Sequence, residues 1–64
     1  MVELKIAKAR LQLNQDYIKL NKSIDIFENK PTKINRDEVN KNIMQLRTDL
    51  TDFKKYVSNL YLKM

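Results

Sequence analysis

Arg47, Lys54 and Tyr61 recur every seven residues, so on a helix they share one face. A guanidinium and an ammonium so placed can hold a phosphate, and a phenol ring beside them can stack on a base. Arg10 and Tyr17 make a second pair at the same spacing. These residue types point to recognition of an anion, not to bond making. Two clusters, RDE at 36–38 and TDLTD at 48–52, do carry paired carboxylates. Without a deep pocket they read as solvated caps and helix-face charges. The chain has no His and no Cys, so the commonest general base, the commonest metal ligand and any thiolate nucleophile are missing. It has no Gly, which removes phosphate-cradling loops and nucleophile elbows. The expectation is a non-enzyme with no catalytic residue, no metal and no cofactor.

Helices must position these side chains. From Val39 the apolar positions run Ile43, Leu46, Leu50, Phe53, Val57, Leu60 and Met64, at intervals of 4, 3, 4, 3, 4, 3 and 4. That heptad rhythm predicts an amphipathic helix of about 28 residues, about 42 Å long. Asn35 with Glu38 three residues on forms a capping box, and Ile34 with Val39 a hydrophobic staple, which together predict its start. In the first half Leu13, Tyr17, Leu20, Ile24 and Phe27 keep the rhythm, which continues backwards through Arg10, Ile6 and Glu3. The single proline, Pro31, ends that helix near Asn29. The sequence therefore predicts an all-α chain: an antiparallel two-helix hairpin, helix about 3–29, hinge about 30–34, helix about 35–63.

Two helices bury little, and a 64-residue pair is marginal alone. Leu4, Leu11 and Ile18 form a second apolar row, and Met44, Leu62 and Ile26 lie outside the first seam. Apolar residues without an internal partner call for an external one. The expected partner is the chain itself, in a homo-oligomeric helical bundle with Leu4, Leu11, Ile18, Met44 and Leu62 at its interface.

In the antiparallel pair Ala7, Asn14 and Asn21 should flank the seam opposite Tyr61, Lys54 and Arg47, making a shallow cationic groove. The other flank should carry Asp16 and Asp49. These flanks could instead meet between neighbouring subunits and set their register. Likewise Arg10 and Tyr17, at seam positions, fit either register control or a ligand pocket between subunits. Thirteen Lys and Arg against eight Asp and Glu, net +5, favour an anionic partner such as a nucleotide or RNA. No apolar run approaches the ~20 residues of a membrane span, and MVELKIAKARL lacks a signal-peptide core. A cytoplasmic protein without membrane contact is expected.

The spacing of KLNKSIDIF before IMQLRTDLTDFKKY resembles that of small helical-hairpin proteins encoded by bacteriophages, among them the anti-CBASS sponges. Those are oligomers that sequester cyclic-nucleotide signals between subunits with a Tyr and basic side chains. The resemblance spans Lys19 to Tyr56. It implies Tyr17 as the stacking residue and Lys22 or Arg47 as a phosphate contact, with an anti-defence role in the host cytoplasm. In form the chain is also similar to the Rop family of RNA-binding hairpin dimers. The alternative is a protein-interaction module that inhibits or regulates a host protein through its exposed apolar helix face.

Overall fold

A computed structural model describes residues 2–63, with side chains from Leu4 onward. Two helices make up the described residues, α1 (Val2–Asn29) and α2 (Lys33–Lys63), and they pack side by side as an antiparallel hairpin. Met64 and the side chain of Glu3, both expected in the seam, lie outside the described residues.

The turn is tighter than the sequence suggested, because α2 begins two residues before Asn35. Pro31 cannot donate to a preceding turn, so the chain leaves α1 there. Thr32 then caps α2: its hydroxyl accepts from the Asn35 amide at 3.2 Å, and its carbonyl accepts from the Arg36 amide at 2.9 Å. Asn35 is thus in the first turn and is not the cap, which corrects the capping-box reading with Glu38. Its side-chain amide reaches back instead and donates to the Lys30 carbonyl at 2.8 Å, tying the two helix ends together. The staple also fails, since Ile34 is 80% exposed. Asn35→Ala should therefore cost about 1 kcal/mol in a urea titration, the value of a lost hydrogen bond. Ile34→Ala should change stability by under about 0.5 kcal/mol.

Where the helices meet, the centre is as expected. Ile6, Leu13, Leu20 and Phe27 on α1 and Val39, Leu46, Phe53 and Leu60 on α2 are half-buried. The rest of the seam differs. On one side of that line run Ala9, Asp16 and Ser23 from α1, with Asn42, Asp49 and Tyr56 from α2, all buried or half-buried. On the other side lie Arg10, Tyr17 and Ile24 with Ile43, Leu50 and Val57, and all of these but Ile24 are exposed. Tyr17, Ile43, Leu50 and Val57 were expected inside the seam. Each helix is instead rotated so that only the central row of its apolar stripe meets the other helix. The remaining row of each stripe turns outward, and in an antiparallel pair both turn to the same side. Small Ala9 and Ser23 permit the close approach on the polar side.

No apolar side chain is fully buried among the described residues; only Asp16 and Ser23 are, at 2% and 5% exposure. The accessible surface is 5601 Å², against ~4,300 Å² for a compact 7.7 kDa monomer. The hairpin leaves far more surface uncovered than a chain of its mass normally does.

Candidate functional site

Five of the six residues singled out for ligand binding share the apolar side of the hairpin. Arg10 and Tyr17 lie on the α1 row beside the helix contact, and Arg47, Lys54 and Tyr61 lie one row farther round α2. All five are exposed. The rows do not close a groove, because Ile43, Leu50 and Val57 run between them. Ala7, Asn14 and Asn21 hold the corresponding outer row of α1 and are also exposed. They share a face with Arg47, Lys54 and Tyr61 without opposing them inside the hairpin. Lys22 is elsewhere. It lines a depression of about 220 Å³ on the polar side, beside Lys19, Ser23, Glu38 and Asn42.

The residues expected at an interface do not form one patch. Leu4, Leu11 and Ile18 make a continuous exposed row on α1, beyond Ala7 and Asn14. Met44 sits on the outer surface of α2 over a shallow depression shared with Arg47, Thr48 and Thr51. Leu62 is on another row of α2 and is exposed over most of its surface.

Charge is divided between the two sides. Over residues 7–24 of α1 and 40–61 of α2, the two rows on the apolar side contain Arg10, Arg47 and Lys54 and no acid. The polar side mixes signs: a concavity of about 300 Å³ there is lined by Lys5, Lys8, Ala9, Gln12, Asp49, Asp52 and Tyr56. A second, of about 280 Å³, is lined by Asp16, Lys19, Glu38, Lys41, Asn42 and Gln45. Asn42 spans the seam there, its amide donating a long 3.4 Å hydrogen bond to the Lys19 carbonyl.

The polar side holds a pair that the sequence reading placed on a flank. Asp16 is buried at the middle of the seam and faces Asp49 across it. Each carboxylate accepts from a glutamine four residues earlier on its own helix: Gln12 to Asp16 at 3.0 Å, Gln45 to Asp49 at 3.1 Å. The second oxygen of Asp16, Oδ2, has no hydrogen-bond partner beyond what Asp49 can offer. Burial, then the bond with Asp49, pushes the Asp16 carboxyl above its ordinary range, while the Gln12 amide and Lys19 oppose the shift. Asp49 goes the other way, held below the usual range by its bond with Asp16 and the Gln45 amide. The opposite directions of the two shifts follow from each carboxyl acting on the other's titration. The signal was present in the sequence as a repeated Gln-x-x-x-Asp, at 12–16 and 45–49.

No helix among the described residues is long and apolar enough to cross a membrane. No protein-family model, curated protein or solved structure matches this chain.

Proposed function

We propose that this chain is a non-enzymatic, self-associating protein that binds an anionic ligand of the nucleotide class, a cyclic nucleotide or a short RNA, along the Arg47–Lys54–Tyr61 row. The separation of charge carries the reading: Arg47 and Lys54 have no acidic residue on their row, whereas the cations on the polar side are interspersed with Asp and Glu. An unopposed cationic row attracts phosphate and keeps its donors free for it. Tyr61, 76% exposed, offers a ring face for a base. Arg10 and Tyr17 lie across the stripe on the other helix, and their row belongs with the apolar surface. The resemblance to phage hairpin sponges points the same way and would place the activity in a host cytoplasm.

Thermal-shift measurements against cyclic dinucleotides, cyclic trinucleotides and short RNAs test the proposal. One class should stabilise the protein, and the shift should shrink as salt rises. Changing Arg47 and Lys54 together to Glu should weaken that binding by about a hundredfold or more, since each charge-assisted bond contributes ~1.5–3 kcal/mol. Helicity should not change, because both side chains are exposed. The exposed Leu4, Leu11 and Ile18 row favours a second reading, a protein-interaction module for a host protein. No response to any ligand of the panel would leave that reading standing and this proposal without support.

A further inference from the structure

Both apolar stripes turn out of the hairpin contact towards the same side. A helix whose stripe points between two neighbours is arranged as in a four-helix bundle, where each helix packs on two others. The hairpin supplies one of those neighbours. We propose that a second copy of this chain supplies the other, packed face to face about a two-fold axis parallel to the helices. The two hinges then lie at the same end, and α1 of each copy packs on α2 of its partner.

Charge selects this symmetry. With the axis perpendicular to the helices, α2 would lie on α2, and Arg47 and Lys54 of one copy would confront the same cations of the other. With the axis parallel, the Arg47, Lys54 and Tyr61 row meets Ala7, Asn14 and Asn21, which are short and neutral. Size agrees with charge. A parallel axis keeps every residue at its own height, so the hairpin's register brings Ala7 level with Tyr61, Asn14 with Lys54 and Asn21 with Arg47. Small faces large at each step. The bundle centre would be filled by Tyr17, Ile24, Ile43, Leu50 and Val57 from both copies. Arg10 lies on the same row and level with Arg10 of the second copy. The two stand near the open helix ends, where each guanidinium can turn outward to water. This single repulsion is smaller than the confrontation of Arg47 and Lys54 that a perpendicular axis would impose.

The area is sufficient. The hairpin extends 49 × 14 × 12 Å, so its broad face is about 690 Å² taken flat (49 × 14). Side-chain relief raises that towards the ~800 Å² per partner of a standard interface. The hairpin's surplus surface over a compact monomer is of the same order. The pairing lays the Arg47, Lys54 and Tyr61 row along the edge between copies, so the proposed ligand would enter there beside Ala7, Asn14 and Asn21. The readouts of self-association need no nucleotide and stand or fall without it.

The chain has no cysteine, so one introduced thiol reports alone. Lys30→Cys, exposed at the turn, would carry a spin label. Light scattering of the full chain at about 50 μM should give twice the monomer mass, and the two labels should lie within about 30 Å, a few helix spacings. Asn14→Arg, at an exposed position outside the hairpin contact, should weaken self-association at least about tenfold by setting a cation against Lys54 of the second copy. A monomer at that concentration, labels separated by about the full 49 Å length, or unchanged association in the Asn14 variant would each overturn the proposal.

Discussion

Replacing Asp16 by leucine should raise the melting temperature by roughly 10 °C at pH 7. Asp16 is the most buried side chain described, and one of its oxygens has only another carboxyl to face. Swapping a buried, imperfectly paired charge for an apolar group of similar size is commonly stabilising by ~1–4 kcal/mol. In a domain this small ~1 kcal/mol moves the midpoint by ~4–8 °C. Asp52→Leu, at an exposed site, should change it little.

The same substitution should reshape the dependence on pH. Because the Asp16 carboxyl titrates above its ordinary range in the folded chain, the fold holds more protons than the unfolded chain from that range up to the raised value. Stability must therefore fall as pH climbs through this window and recover on acidification. Asp49 acts oppositely: lowered in the fold, it contributes stability above the ordinary range that is lost as pH drops through its depressed value. Lys19 beside Asp16, with Glu38 and Lys41 across the same depression, bear on the pair but do not reverse these signs. The native chain should thus be most stable in mild acid, with a decline on either side. The leucine variant should lose the decline towards neutrality and show a smaller decline in acid, because Asp49 loses the bond with Asp16 that lowers it most and keeps only the Gln45 amide. Melting curves at about pH 3, 5 and 7 would show it.

Phe53→Ala should have the largest opposite effect. Phe53 stands on the central row of α2, the line along which apolar side chains of both helices converge among the described residues. Its truncation should remove about 2 kcal/mol or more, less than for a wholly buried ring. A chain of 64 residues has only ~3–10 kcal/mol in total, so much of the helical signal should be gone at 25 °C in modest urea. Lys55→Ala, at an exposed position on the outer surface of α2, should shift the urea midpoint by under about 0.5 kcal/mol. If the two cost the same, the helices do not meet along the Phe53 row.

The hairpin and the central row of contacts were legible in the sequence. Heptad spacing survives in any helix that buries one stripe, and Pro31 fixes where the first helix must stop. Rotation was not legible. A 4-3 repeat marks two adjacent rows as apolar but does not say whether one neighbour covers both or two neighbours take one each. Here one neighbour covers Leu46 and Phe53 and leaves Ile43, Leu50 and Val57 out. That rotation also carried Asp16 and Asp49 inward from the flank, and it separated Arg47 and Lys54 from Asn14 and Asn21 within the hairpin. The start of α2 was displaced for a local reason. Thr32 and Asn35 can both accept from open amides, and Pro31 beside Thr32 lets the earlier one act. Arg47, Lys54 and Tyr61 did emerge on one face, because a seven-residue spacing determines that whichever way the helix is turned.

The length of the hairpin also governs how it moves through water. Its radius of gyration is 14.8 Å, where a compact chain of 64 residues has ~11 Å. Such a rod drags more solvent than a sphere of equal mass and leaves a sizing column early, looking heavier than it is. Two rods laid face to face double the mass while thickening only the short dimension, so the pair is rounder than either member. Friction therefore grows more slowly than mass on pairing, and monomer and dimer should elute close together. Elution volume alone would read both as nearly the same particle, whereas scattered light, which follows mass whatever the shape, separates them by a factor of two.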